Sequence, residues 1–235
     1  DYRFLVGTIQ DNKMYLSCFD GSHAFLFEAK VLEDKTLIGS FRSGTHYKST
    51  WSAKRNPDFK LDDASTLTYL KNKDDKFTFA FPNTEGKTIS LEDEKYQGKA
   101  KIIQILGTWC PNCADETEFL MEYLKNNPNE DLEVIGLAFE KHKTADKTNA
   151  ALNTFKKRFD VNYEVLWAGS SSKSKAAEAL PMLNAIISYP TMIFLDKNNN
   201  VTYIHTGFSG PATSKYEGFK KDFDKRVKQL VKEGN

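Results

Sequence analysis

Cys110 and Cys113 lie in "GTWCPNCADE", residues 107–116, with Pro111 and Asn112 between them and Trp109 directly before. Thiols at that spacing can clamp a metal, close a short structural bridge, or work as a reactive dithiol. A structural zinc site takes four nitrogen or sulfur ligands, commonly from two paired motifs. This chain has one cysteine pair, and its four histidines (His23, His46, His142 and His205) are scattered, so no metal is expected. A bridge closing so small a loop constrains the unfolded chain only weakly. The third reading is favoured by position, because the pair falls where a buried strand gives way to a helix.

That strand is "AKIIQILGTW", and the helix is "PNCADETEFLMEYLKNN", in which Phe119/Tyr123 and Leu120/Leu124 recur at helical spacing. Pro111 suits the first helical turn, where an N–H would be unpaired anyway. Cys110 then stands at the helix N-terminus, where free N–H groups and the macrodipole favour negative charge. Its pKa is expected to fall below the free-cysteine value of about 8.5. Cys113, about one turn further in, can attack a mixed disulfide formed at Cys110. The expectation is an exposed, acidic first thiol and a shielded second one.

Around this turn, "DLEVIGLAF" reads as another buried strand, "TNAALNTFKKRFD" as a helix and "YEVLW" as a further strand. "PTMIFLD" and "VTYIHTG" flank "KNNN" as a β-hairpin. A last amphipathic helix carries Phe219, Phe223, Val227 and Leu230 on one stripe. This alternation predicts an α/β domain with a mixed central sheet flanked by helices, over residues 74–235. Residues 1–73 read differently. "RFLVG", "KMYLSCF", "AFLFEAKV", "TLIGSF" and "HYKSTW" are short strands separated by turn clusters such as "QDNK" and "FDGSH", which predicts a small all-β module, a meander or barrel. Cys18 would share a strand face with Met14 and Leu16 as a small buried hydrophobe. The charged run "KNKDDK", 71–76, is the expected linker, and 168–186 reads as an insertion near the site.

Thirty-three basic side chains against 32 acidic ones leave a formal charge of +1, which gives no support for a nucleic-acid partner. No apolar run approaches the roughly 20 residues of a transmembrane helix. The opening "DYRFLVGTIQ" lacks the pattern of a signal peptide, leaving either a cytosolic chain or one whose targeting segment was removed.

"WCPNC" on a strand-to-helix turn, followed by "SYPTMIFLD", resembles the thioredoxin superfamily. "ILGTWCPNCADE" and the lead-in "GKTISLEDEKYQGK" are more closely similar to the TlpA/ResA-like thiol–disulfide oxidoreductases of the bacterial cell envelope, over roughly residues 77–235. The first seventy or so residues resemble the extra β module of some larger members. The resemblance implies a thioredoxin-like fold and a cis Tyr189–Pro190 bond facing Cys110. It also implies a substrate surface from Trp109, Pro111, Tyr189 and Pro190, and a carboxyl, Glu116, that exchanges a proton with Cys113. Glu116 also suits the helix dipole as an ordinary first-turn acid, and Pro190 could simply begin an edge strand. Asp115 is assigned to solvent. Many thioredoxins carry a buried aspartate six residues before the first cysteine; Gln104 stands there. The implied partners are proteins bearing disulfides or thiols and an external, membrane-held electron donor, with no cofactor. The implied location is the periplasm or cell envelope. Two other functions compete. A thiol peroxidase of the peroxiredoxin type carries threonine three residues before its reactive cysteine, where this chain has Gly107. A binding module would use aromatics such as Tyr47 and Trp51, with a vestigial dithiol.

Overall fold

The computed structural model describes residues 5–19, 24–211 and 213–232. Arg3 and Phe4 of the first expected strand, and the turn at 20–23 with His23, lie outside the described residues. The chain divides into two compact units. One runs to Asp62 and takes in Pro211–Ser214; the other covers Asp63–Gly210 and resumes at Lys215.

The first unit holds β1 (Val6–Gln10), β2 (Lys13–Phe19), β3 (Ala24–Val31), β4 (Leu37–Ser43) and β5 (Tyr47–Ala53). They form one antiparallel sheet in chain order, the meander of the two expected shapes. Asp11 and Asn12 close the β1–β2 hairpin with φ of 50° and 58°, the left-handed pair that two-residue hairpin turns require. Registers such as Met14↔Ala29 and Leu16↔Phe27 collect the apolar residues on one face. There Phe27 packs on Phe41 at 4.7 Å and on Trp51 at 5.8 Å. Cys18 shares this face, only half-buried.

The second unit begins with α1 (Ala64–Leu67), capped by the Asp63 carboxylate on the Ser65 N–H. The Tyr69 N–H donates to Asn184 Oδ1 and the Lys71 N–H to the Met182 carbonyl. Residues 63–71 are thus bonded into this unit, and the division falls at Asp62/Asp63, ahead of the expected 73/74. Charge pattern marked the run after Lys71, whereas backbone pairing decides which unit holds the residues before it.

A short hairpin of β6 (Ala80–Pro82) and β7 (Thr88–Ser90) leads into β8 (Ala100–Leu106), α2 (Pro111–Asn126), β9 (Leu132–Glu140), α3 (Ala145–Arg158) and β10 (Glu164–Ser170). Then come α4 (Lys173–Ala179), β11 (Thr191–Leu195), β12 (Val201–Thr206) and α5 (Tyr216–Lys232). The main sheet has the order β10-β9-β8-β11-β12, with β8, β9 and β10 parallel and β11 antiparallel to both β8 and β12. It is a mixed sheet in a thioredoxin-like fold. Every residue of β8 is buried, Lys101 and Gln104 included, as the position of a central strand covered on both faces requires. Phe119 and Tyr123 of α2 meet Phe223 of α5 edge-on at 4.9 and 4.8 Å. Phe223, Val227 and Leu230 are buried on the α5 stripe, with Phe219 only partly so. This packing fixes α2 against the sheet and so fixes the turn that carries the cysteines.

Candidate active site

The turn leaving β8 is held from both ends. Gly107 has no room for a side chain, since a Cβ there would stand 2.4 Å from Trp109 Nε1. The Trp109 indole N–H donates to the Phe139 carbonyl at 2.9 Å, and Lys141 Nζ lies 4.3 Å from the indole ring centre. The Thr108 N–H and hydroxyl donate to Glu140 Oε1 and Oε2 at 2.7 and 2.9 Å. Burial raises the Glu140 pKa, while the bonds from Thr108 pull it down. Glu140 had no sequence signal beyond being an acid at the end of a buried strand.

Cys110 takes an extended conformation as the N-cap of α2, and Pro111 fills the first turn. The Cys110 carbonyl accepts the N–H groups of Cys113 and Ala114, each at 3.1 Å. Its thiol faces the Tyr189 carbonyl at 3.5 Å, and the Tyr189–Pro190 bond is cis. Cys110 is only 7% exposed, against the expected open thiol, because the segment at Tyr189 lies across it. Cys113 is fully buried. Burial first, then a hydrogen bond with Cys110 and the charge there, raise the Cys113 thiol well above its ordinary value. The Gly107 backbone works in the opposite direction.

Glu116 is 0% exposed. Gln104 Nε2 donates to its Oε2 at 3.0 Å, while Oε1 has no hydrogen-bond partner among the described residues. Burial drives the Glu116 pKa well up, and charge at Cys110 adds to this; the Gln104 bond opposes both. A carboxyl that holds its proton in this way is equipped to trade it. Tyr163, which sequence reasoning passed over, donates its hydroxyl to Gln104 Oε1 at 3.0 Å. Asp115, assigned to solvent, is half-buried.

The structure brings Trp109 and Tyr189 together as an edge-on pair at 5.5 Å beside Cys110. Pro190 is buried, and its carbonyl accepts the Gly207 N–H at 2.9 Å. The 168–186 segment forms α4 and reaches the site, where the Tyr189 hydroxyl donates to the Ser171 carbonyl at 3.4 Å. Among the described residues no three His, Cys, Asp or Glu side chains cluster as metal ligands.

A family model described as Redoxin matches residues 54–219. The chain belongs to the Redoxin family. As a Redoxin chain it is 28% identical over 123 residues to the thiol-disulfide oxidoreductase ResA of Bacillus thuringiensis subsp. konkukian (strain 97-27), covering 52% of this chain and 62% of that relative. ResA of Bacillus subtilis (strain 168) is 24% identical over 129 residues, covering 55% and 64%. The chain thus spans less than two thirds of either relative's length. Among solved structures, it is similar to the C-terminal domain of a chain assigned as a thiol-disulfide oxidoreductase from Bacteroides thetaiotaomicron. The TM-score is 0.50 at 16% identity, over 67% of this chain and 95% of that one, a likeness of fold. Together these give a Redoxin chain with a thioredoxin-like fold that is similar in sequence to the ResA oxidoreductases.

Proposed function

We propose that this protein is a thiol–disulfide oxidoreductase working as a reductase of protein disulfides. One observation carries the reading: Cys110 caps the α2 N-terminus with its sulfur against the Tyr189 carbonyl, and Cys113 is buried one turn further in. The amide dipoles of that turn favour Cys110 as the thiolate, against the Tyr189 carbonyl, which accepts from its thiol form. The thiolate attacks one sulfur of a substrate disulfide, and the substrate's other sulfur leaves as a thiolate. Cys110 has then exchanged its charge for a covalent bond. Glu116 loses the neighbouring charge that, after burial, helps hold its proton. It gives that proton to the leaving thiolate and, now a carboxylate, takes the proton of Cys113. The Cys113 thiolate attacks the Cys110 sulfur and expels the second substrate thiolate, which collects its proton from Glu116. Two electrons and two protons have passed to the substrate, and the Cys110–Cys113 bridge awaits an external donor. Half-buried Trp109 and Pro111, with the backbone of the buried Tyr189–Pro190 segment, form the surface that meets the substrate. On the family resemblance, the reading extends to work in the periplasm or cell envelope with a membrane-held donor. No helix among the described residues is long and apolar enough to cross a membrane.

The space at Gly107 favours this reading over a peroxidase. A threonine there would drive its Cβ into the Trp109 indole. The test is reduction of a protein disulfide such as insulin's. Cys110→Ser should abolish it, and Cys113→Ser should accumulate a mixed disulfide through Cys110. Retained reduction by Cys110→Ser would refute the mechanism. Fast, saturable peroxide consumption needing one cysteine would favour the peroxidase instead.

A further inference from the structure

Behind the dithiol lies a buried polar group drawn from three segments: Gln104 on β8, Glu116 and Thr117 on α2, and Tyr163 just before β10. The Tyr163 hydroxyl donates to Gln104 Oε1 at 3.0 Å. Gln104 Nε2 donates to Glu116 Oε2 at 3.0 Å and to Thr117 Oγ1 at 3.1 Å. The Thr117 hydroxyl donates in turn to the Cys113 carbonyl at 2.8 Å.

A primary amide presents an acceptor on one side and donors on the other, so its partners decide which way it faces. Burial raises the Tyr163 pKa and keeps the phenol protonated, able to donate. With Oε1 of Gln104 committed to that donor, the amide N–H groups must face Glu116 and Thr117. This holds one carboxyl oxygen of Glu116 and leaves the other, Oε1, without a hydrogen-bond partner among the described residues although the side chain is fully buried. A network serving stability alone would satisfy both oxygens, because an unpaired buried polar atom, hydroxyl or carboxylate oxygen alike, costs stability. Glu116 stands three residues beyond Cys113 on α2, on the same buried helix face, which brings its carboxyl to the side of the thiol.

We propose that Tyr163 and Gln104 are positioning residues that hold Glu116 by Oε2 and keep Oε1 for the proton of Cys113. This rests on the reading of Glu116 as the proton carrier for Cys113, given above. Neither residue touches substrate; both act through Glu116. Tyr163 fixes the amide, the amide fixes the carboxyl, and the carboxyl meets the thiol in one orientation.

The experiment isolates the Cys113 step in the full chain. Reduced protein mixed with 5,5′-dithiobis(2-nitrobenzoate) releases chromophore twice, first when Cys110 attacks the reagent and then when Cys113 displaces the bound nitrothiobenzoate from Cys110. Both phases are followed by stopped flow across pH. Tyr163→Phe should leave the first phase unchanged, slow the second by roughly tenfold near neutral pH, and move its pH midpoint upward. In a Glu116→Gln background, Tyr163→Phe should produce no further slowing. Gln104→Met, which removes the amide at similar length, should behave as Tyr163→Phe does and serves where the latter unfolds. If Glu116→Gln slows the second phase but Tyr163→Phe and Gln104→Met leave its rate and pH profile unchanged, the positioning role is overturned and the proton-carrier reading stands. If Glu116→Gln itself leaves the second phase unchanged, the proton-carrier reading falls, and this inference with it.

Discussion

Replacing Glu116 with glutamine should make the reduced protein more stable, increasingly so as pH rises. The carboxyl is wholly buried, and its pKa is pushed well up by burial first and by the Cys110 charge second, with the Gln104 bond opposing. In the unfolded chain a glutamate ionises near about pH 4.3. Below that pH both states hold the proton, and the group's contribution to stability is fully present. Above it the unfolded chain has released a proton that the folded chain retains, so stability is lost as pH rises. The loss runs at up to about 1.4 kcal/mol per pH unit and levels off only beyond the raised folded pKa. Glutamine does not titrate, and its carbonyl can still accept from Gln104 Nε2. The unfolding free energy of Glu116→Gln minus that of wild type should therefore be flat only well below the unfolded value of about 4.3. It should climb through about pH 5–7 with a slope approaching that limit. Glu140 is also buried and raised, but it is common to both proteins and cancels. Urea titrations under reductant at half-unit pH steps give the two curves. Parallel curves between pH 4 and 7 would refute the reasoning, because they would mean that Glu116 ionises alike in folded and unfolded chains.

Gly107→Ala forces the Trp109 indole away from a Cβ that would lie 2.4 Å from its nitrogen, with loss of the bond to the Phe139 carbonyl. A stability loss of about 2–4 kcal/mol is expected, with a red-shifted tryptophan emission in the folded protein. Glu140→Ala leaves the Thr108 N–H and hydroxyl without their acceptors; it should cost about 2 kcal/mol, and Glu140→Gln clearly less, by urea denaturation. Leu120→Ala opens a cavity at a fully buried position on α2 and should lower unfolding free energy by about 2–5 kcal/mol. An unchanged melting temperature would show that the α2 interface is not packed as described.

The strand–turn–helix around the cysteines was legible because its signals are local. The isoleucine-rich "KIIQIL" marks β8, Pro111 marks the first turn of α2, and Phe119/Tyr123 recur at the helical period. The β1–β2 hairpin was equally plain from "QDNK", where Asp11 and Asn12 tolerate positive φ. The charged run at 71–76 was less informative about the division into units, since the pairing of Tyr69 and Lys71 with residues beyond 180 leaves no trace in charge.

Around the sulfur atoms the balance shifts. Residue types and spacing along the chain determined that a dithiol stands at a helix N-terminus with an acid three positions on. Only the tertiary structure decided that Cys110 is nearly covered, because Tyr189, which covers it, is 79 residues away in sequence. It alone joined Thr108 to Glu140 across 32 residues and Tyr163 to Gln104 across 59. The reason is one of range. Propensity and periodicity act between residues a few bonds or one turn apart and are written in the order of the chain. The partner of a buried polar atom depends on where the whole sheet and its helices bring distant segments together, and chain order carries no record of that distance.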